Sequence, residues 1–411
     1  MTEPGANTPF VAIACGGTGG HLFPGLAVAE QLTGRGCAVA LLISPKEIDQ
    51  QAVKSTFGME IVTLPAVALQ NHNYFSFAGS FCKSLFAARK CFRRRKPGAV
   101  LAMGGFTSAP PVWVGKGFGA KTFLHESNTV PGRANRLLAR FVDGAFVGFP
   151  EAATRLKARK VTVTGTPVRV QFFSLENPVV LNSVEPARWD ARPAKIADCR
   201  TALGLEPNRP TVLVVGGSQG ASGINEMILS ALPLLADHDW QWLHLTGEKD
   251  FGKVRAAYAT RGLRAVVKPF LVEMDLALGA ATAAVSRAGA SSLAELAAVR
   301  LPSLLVPFPA AADNHQFHNA RAFEAAGAAR LLKQMSATPE KVTAALNELV
   351  ENEPARVAMQ TALAQRHTPR AAEQIAEIVL QAVARRQETS TTKTHACGCG
   401  CAPGRAKHVT S

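Results

Sequence analysis

Two glycine-rich turns offer the clearest chemistry in this chain. Cys15-Gly16-Gly17-Thr18-Gly19-Gly20-His21 follows the apolar run Phe10 to Cys15 and opens a helical pattern through LAVAEQL. Gly216-Gly217-Ser218-Gln219-Gly220 follows TVLVV at Thr211 to Val215 and opens ASGINEMILSALPLL. Each turn places free backbone N–H groups at a helix N-terminus, where hydrogen bonding and the helix dipole favour a diphosphate. No GK[ST] follows either turn, so neither is a Walker loop. Neither fits GxGxxG, which weighs against a nicotinamide cofactor. Ser218 and Gln219 stand where side chains can assist a phosphate, or where a serine simply caps the helix. His21 is of the type that serves as a base near neutral pH. Glu295 has two readings. Ser292-Leu293-Ala294-Glu295 fits a capping box, and a carboxylate at a crevice-facing helix start can also accept both hydroxyls of a ribose. His315 and His318 are three apart on one helical pattern. No HExxH and no acidic third ligand accompanies them, so polar contacts are expected there and no metal. Cys397, Cys399 and Cys401 alternate in HACGCGC, a spacing that suits a soft metal. Their flanks, TSTTKT and APGRAKHVTS, read as an unfolded tail.

Strands must end beneath these turns to position them. In the first half, Phe10 to Cys15, Cys37 to Ser44, Ala99 to Met103 and Lys121 to Leu124 read as strands, the last running into His125-Glu126-Ser127-Asn128. Pro24 is placed near the first turn of the helix that follows the glycines. In the second half, Thr211 to Val215, Ala283 to Ser286 and Ser303 to Val306 read as strands. Ser292 to Val299, Asn314 to Ala326 and the amphipathic stretch Arg370 to Arg386 read as helices, and Thr338 onward looks helical. Alternating strands and helices predict parallel sheets covered on both faces, with ligands at the C-terminal strand ends. Two strand–glycine–helix openings predict two doubly wound α/β domains, and a cleft between such domains is the natural ligand site. Val170 to Arg209, with four prolines, reads as irregular.

The chain has 411 residues and a formal net charge of +15, with 47% hydrophobic residues. That apolar share excludes intrinsic disorder for most of its length. The N-terminus carries Glu3 and no basic residue before the first apolar run, so no signal peptide is expected. The uncharged stretch Pro97 to Gly115 holds Gly104, Gly105, Pro110 and Pro111, which argues against a membrane-spanning helix there. A soluble, cytoplasmic protein is expected. Cys15, Cys37, Cys82, Cys91 and Cys199 are scattered and suggest no disulfide framework. Between Ile61 and His125 there is no acidic residue, while Lys83, Arg89, Lys90, Arg93, Arg94, Arg95, Lys96, Lys116 and Lys121 all fall there. Such a patch seeks an anionic partner. Phe77, Phe81 and Leu85 recur at helical spacing beside it. The residues alone leave two readings open: an interfacial membrane helix, or an ordinary helix with one buried and one solvated face.

Six segments in one order, CGGTGGHLFPGLAVAEQL, GGFTSAPP, HESNTVPGRANRLLA, GTPVR, GGSQGASGIN and SRAGASSLAEL…LPSLLVPFP…DNHQFHNA, resemble the MurG family of glycosyltransferases in peptidoglycan synthesis. The resemblance runs from about Phe10 to Arg386. It implies a GT-B fold, two Rossmann-like domains facing a central cleft, and an inverting transfer without a cofactor. N-acetylglucosamine would pass from UDP-N-acetylglucosamine to the C4 hydroxyl of the muramyl sugar of a polyprenyl-pyrophosphate-linked acceptor, lipid I, giving lipid II. On matching positions, it implies that His21 is the general base. Thr18, Gly19 and Gly20 would lie near the donor sugar and acceptor diphosphate, and Asn128 would contact the sugar. Arg169 and Ser218 would meet the donor diphosphate, and the Leu271 backbone the uracil. Ala290, Ser291, Ser292, Leu293, Ala294 and Glu295 would form the helix start holding phosphate and ribose, with Glu295 on the ribose. Gln316 would read the donor sugar's hydroxyls.

The resemblance also gives the basic and aromatic stretch 74–96 a purpose, docking on the anionic cytoplasmic face of the cell membrane as a peripheral protein. The expected division is an acceptor and membrane-associating domain at 1–165 and a donor domain at 166–368, with 170–209 irregular. A C-terminal helix at 369–387 would return to the first domain, and 388–411 would be a disordered tail. Ser127, Thr166, Phe106, Thr107 and Ala109 depart from the family pattern, which has glutamine, asparagine, tyrosine, valine and glycine there. Three rivals remain: another GT-B glycolipid glycosyltransferase, a UDP-N-acetylglucosamine epimerase of the same fold, and a nucleic-acid-binding protein suggested by charge alone. The apolar anchors and paired crevices argue against nucleic acid.

Overall fold

The computed structural model describes residues 8–53, 58–65, 74–172, 192–217 and 221–396. The first half alternates β1 (Phe10–Ala14), α1 (Gly19–Gly34), β2 (Ala38–Ile43), α2 (Glu47–Ala52), β3 (Glu60–Thr63), α3 (Tyr74–Arg94), β4 (Ala99–Ala102), α4 (Ala109–Gly117), β5 (Lys121–Glu126), α5 (Arg133–Leu138), β6 (Gly144–Val147), α6 (Pro150–Ala153) and β7 (Val161–Val163). Helix α7 (Arg192–Ala202) leads into the second half: β8 (Thr211–Val215), α8 (Ser222–Leu235), β9 (Gln241–Leu245), α9 (Phe251–Thr260), β10 (Ala265–Lys268), α10 (Met274–Ala280), β11 (Ala283–Ser286), α11 (Ala290–Ala298), β12 (Ser303–Leu305), α12 (His315–Ala325) and β13 (Arg330–Leu331). Three helices close the chain, α13 (Pro339–Val350), α14 (Glu353–Arg366) and α15 (Ala371–Ala396).

Strand order is β3-β2-β1-β4-β5-β6-β7 in one sheet and β10-β9-β8-β11-β12-β13 in the other. The strand pairings among the described residues are parallel, for example Ala12 beside Ala40 and Val100, and Val214 beside His244 and Val285. The central strands are buried along their length (FVAIA, AVLA, AAVS), as a sheet covered on both faces requires. Edge strands such as EIVT and VTV are partly exposed and more polar, which is why apolar runs alone do not reveal them. Chain order reverses between β1 and β4 and again between β8 and β11. At such switch points the loops beyond the strand ends splay apart and leave a crevice. The first glycine turn and Gly216-Gly217 of the second lie at these points.

Helix α15 packs its apolar stripe, Ala372, Ile375, Ala376, Val379 and Val383, into the core of the first sheet. Arg386 ties it there by donating to the carbonyls of Pro97 and Phe118 at 3.2 and 3.1 Å. Three expectations need correction. The stretch 170–209 is not wholly irregular, because α7 spans Arg192–Ala202, with Pro193 in the first turn where its missing N–H costs nothing. The tail does not begin at 388: α15 continues to Ala396, and no glycine interrupts the sequence after Arg386 until Gly398. Pro24 lies inside α1, whose first residue is Gly19, and not in its opening turn. The cysteines Cys397, Cys399 and Cys401 lie outside the described residues.

Candidate active site

The first glycine loop joins β1 to α1 and is fixed from two sides. Gly17 has φ +116°, which a residue with a Cβ rarely adopts. Its N–H donates to the buried Asp49 carboxylate at 2.7 Å. Thr107, from the β4–α4 turn, donates its hydroxyl to the Gly16 carbonyl at 2.7 Å. Thr18 takes the N-cap position with extended backbone, yet no side chain caps the helix. The N-terminal N–H groups of α1 are thus left available toward the crevice.

His21 sits in the first turn of α1, against the second turn of glycines in this half. A Cβ built on Gly104 would lie 2.8 Å from the imidazole, and one on Gly105 3.1 Å from it. Both glycines have positive φ, +107° and +78°. Burial lowers the His21 pKa below the ordinary value of 6.5, and His315 adds to that; Glu126, the Met103 backbone and Asp49 pull the other way. The ring is therefore neutral near pH 7 and able to accept a proton. Its Nδ1 is buried without a hydrogen-bond partner.

The HESN segment organises the same wall. Glu126 is 2% exposed. Its Oε1 accepts from the backbone N–H and side-chain amide of Asn128 at 2.9 and 3.0 Å. Its Oε2 accepts from the Gly132 N–H and the Asn135 amide, both at 2.9 Å. Four donors on one buried carboxylate compensate its desolvation. His125 donates from Nε2 to the Gly165 carbonyl at 3.0 Å, because a carbonyl can only accept; Ser127 then donates its hydroxyl to Nδ1 at 3.2 Å. Ser127, a departure from the family pattern, thereby completes a neutral, buried histidine whose pKa is lowered chiefly by burial.

The facing wall begins at α11. Its N-cap is Gly289, so Ser292 is the third helical residue. The capping-box explanation of Glu295 therefore fails, since Ser292 is not at the cap. Burial pushes the Glu295 carboxyl up to about 7, against the opposing pull of Arg169. The Arg169 guanidinium lies 4.3 Å from the ring centre of Phe23 and 5.3 Å from that of Phe172, and its Nε is buried without a partner. Gln316 accepts the Phe308 N–H at Oε1 (2.9 Å), which orients its amide nitrogen away from that contact. Leu271 is buried, between β10 and α10. Ser218 lies outside the described residues. His315 donates from Nδ1 to the Ala312 carbonyl at 2.7 Å, and the described residues hold no cluster of three or more His, Cys, Asp or Glu side chains suited to a metal ion.

The two walls touch. Asn319 on α12 is fully buried; its Oδ1 accepts from the N–H and hydroxyl of Thr129 at 2.9 and 3.0 Å, and its amide donates to Asn128 Oδ1 at 3.0 Å. Ser291 donates its hydroxyl to the Gly20 carbonyl at 3.0 Å. Pro24 has no N–H to give that carbonyl, so the helix leaves it open to the opposite wall. Arg133 and Arg136 on α5 pair with Asp313 at 3.4 and 3.0 Å at the rim. Two helix N-termini, a neutral imidazole, an arginine and a carboxyl group of raised pKa thus line one cleft between two doubly wound halves. The arrangement suits a sugar nucleotide between the halves and a proton acceptor on one side.

The model of the glycosyltransferase family 28 N-terminal domain matches residues 11–147, and that of the family 28 C-terminal domain matches residues 211–375. The chain belongs to glycosyltransferase family 28. A relative from Anaeromyxobacter sp. (strain Fw109-5) is 34% identical over 381 residues, 91% of this chain and 93% of that protein. One from Xanthomonas axonopodis pv. citri (strain 306) is 35% identical over 384 residues, 92% of this chain and 83% of that protein. Both are named UDP-N-acetylglucosamine–N-acetylmuramyl-(pentapeptide) pyrophosphoryl-undecaprenol N-acetylglucosamine transferase. Among solved structures, Acinetobacter baumannii MurG is similar at 26% identity and a TM-score of 0.66, over 91% of this chain and 99% of that one. The glycotransferase of kitacinnamycin, at 16% identity and a TM-score of 0.62 over 90% and 99% of the two chains, shares the fold.

Within family 28, the N-terminal match carries His21, Glu126 and Asn128, and the C-terminal match carries Glu295, Gln316 and Asn319. Arg169 lies between the two matches. Sequence reasoning did not single out Asp49, Glu126, Asn135 or Asn319. A glutamate at the end of the apolar strand KTFLHE was a usable signal. So was Asn319, three residues after Gln316 and hence on the same helical face. Asp49 gave none, because its partner Gly17 is distant in sequence.

Proposed function

We propose that this family 28 enzyme transfers N-acetylglucosamine from UDP-N-acetylglucosamine to the muramyl C4 hydroxyl of an undecaprenyl-pyrophosphoryl acceptor, forming lipid II. The observation that carries the reading is the neutral, half-buried His21 facing α11 across a cleft that two helix N-termini enter. The acceptor oxygen attacks the anomeric carbon as His21 takes its proton. The bond from that carbon to the UDP oxygen breaks, and UDP departs with the electron pair. Attack from the face opposite UDP inverts the anomeric centre. The start of α11 and Arg169 stabilise the charge that develops on the leaving diphosphate. Ser218, Leu271, Glu295 and Gln316 hold the nucleotide and sugar on the donor wall, while Thr18, Gly19, Gly20 and Asn128 meet the sugar and acceptor from the other. The names of the curated relatives favour this reading over an epimerase or another glycolipid transferase.

Transfer of labelled N-acetylglucosamine to a lipid I analogue, with a donor-only control, tests it. A labelled disaccharide product is expected. Donor binding with no transfer, or epimerised UDP-sugar in the control, overturns the reading.

The surface of α3 supports a peripheral location on the membrane. Phe86 is 72% exposed. Arg89, Lys90, Arg93 and Arg94 surround a concave surface with it. Phe81 instead turns inward, with its ring 5.5 Å from that of Trp113 on α4. Arg95 is not part of this surface: it donates to the Thr8 carbonyl and lies over the Phe10 ring. No helix among the described residues is long and apolar enough to cross a membrane. The triple variant Lys90→Glu, Arg93→Glu, Arg94→Glu should lose binding to vesicles containing anionic lipid while keeping UDP-N-acetylglucosamine binding. Undiminished sedimentation with such vesicles contradicts the docking role.

A further inference from the structure

In the proposed reaction Arg169 meets the leaving diphosphate, yet no polar group among the described residues holds its side chain. It stands half-buried where the chain leaves the first sheet, just ahead of a single 3-10 turn at Val170–Phe172. No hydrogen bond or ion pair engages its guanidinium among the described residues, and its Nε is buried without a partner. Glu295 on α11 and Glu30 on α1 feel its charge without pairing with it. What lies against it is aromatic. The guanidinium carbon is 4.3 Å from the ring centre of Phe23 on α1 and 5.3 Å from that of Phe172. Phe172 is fully buried. The half-buried Phe23 ring lies over Gly19, where a Cβ would come within 3.1 Å of it.

Both rings fall within the range of about 6 Å over which a ring face attracts a cation. How an arginine is held decides what it can still do. A carboxylate partner takes guanidinium N–H donors in a fork and offsets the charge. A ring attracts the cation through its quadrupole and takes no N–H donor. An arginine held by rings therefore keeps its charge and its five donors for an anion. The rings also restrict a long, flexible side chain, which lowers the entropy it loses when the anion arrives. We propose that Phe23 is a positioning residue: its ring, together with that of Phe172, holds the Arg169 guanidinium for the donor diphosphate with its N–H donors unspent. A side chain of the first half thereby sets a group that acts on the donor. The proposal rests on the transferase reading above.

The test uses the full chain and two measurements: UDP affinity by calorimetry, and steady-state kinetics with UDP-N-acetylglucosamine varied against a lipid I analogue. Phe23→Leu keeps an apolar side chain and removes the ring. It should weaken UDP binding about fivefold and lower the donor kcat/KM about tenfold, with the acceptor KM within about twofold. Phe23→Tyr keeps the ring and should restore both. In an Arg169→Ala background, Phe23→Leu should cost less than about twofold, because the ring acts through the guanidinium. An unchanged donor kcat/KM in Phe23→Leu overturns the proposal. So does an equal loss with and without Arg169. A trifluorinated phenylalanine at position 23 keeps the shape of the ring and withdraws the negative charge of its face, so the test stays readable if Phe23→Leu fails to fold. It should reproduce the loss, and wild-type behaviour would reduce Phe23 to packing and overturn the proposal. A wild type that transfers nothing would instead strike the transferase reading, and the UDP titrations would still decide the role of Phe23.

Discussion

His21 and Glu295 face one cleft from opposite halves of the chain, and burial drives both toward the neutral form. The chemical result is opposite. Desolvation strips a proton from the imidazole and leaves a base. The same effect makes the carboxyl hold its proton up to about pH 7. One physical cause thus furnishes a proton acceptor on the acceptor wall and a group that both donates and accepts hydrogen bonds on the donor wall. The walls also differ in what supports them. Around His21, two glycine turns, Asp49 and Glu126 fix the backbone and neighbouring side chains. Around Glu295, support comes from Arg169 and from the helix start itself.

Removing the base gives the largest expected effect. His21→Ala should lower kcat by about two to four orders of magnitude while UDP-N-acetylglucosamine binding persists; near-normal turnover would erase the contrast. In the wild type, kcat/KM should fall on the acid side only below pH 6.5, since protonating a histidine of lowered pKa abolishes the base. An acid limb centred above 6.5 would contradict the neutral ring. Glu295→Gln should raise the donor KM about tenfold, the scale of one charged hydrogen bond, and more at pH 8 than at pH 6. Its effect on stability has a definite sign. The folded pKa lies above the ordinary 4.5, so ionising Glu295 destabilises the fold progressively between about pH 4.5 and 7, and fully above that. Glu295→Gln should therefore raise Tm more at pH 8 than at pH 5, and an equal shift at both would show that the carboxyl is not desolvated.

Asn319→Ala tests the join between the walls. It strands the Thr129 N–H and the Asn128 side-chain Oδ1, so a loss of about 1–3 kcal/mol in unfolding free energy is expected. Chemical denaturation measures it, and a neutral result would mean the halves do not close on this contact. Asp313→Asn should do least. Its partners Arg133 and Arg136 are substantially exposed, and such rim pairs contribute about 0–1 kcal/mol. A large change in donor KM from this variant would make the rim more than a surface contact.

Much of this was legible in the residues. The buried central strands β1, β2, β8 and β11 declare themselves as unbroken apolar runs. The edge strands β3 and β7 do not, being short, partly exposed and polar at several positions. Helix α7 was hidden by Pro193, whose ring reads as a breaker until its place in the first turn is known. The two glycine turns and His21 stood out because phosphate binding and positive φ demand those residue types. Asp49, Glu126 and Asn319 did not, because each acts through partners far away in sequence or across the cleft.

The amino-acid sequence by itself determined the two doubly wound halves, the glycine turns at their strand ends and the residues available for chemistry, because hydrophobic periodicity and backbone freedom are local properties. Only the tertiary structure decided which of those residues act together. Burial, and hence the direction of each pKa, depends on what packs over a side chain. The Asn128–Asn319 and Ser291–Gly20 contacts exist only because the two halves close on each other.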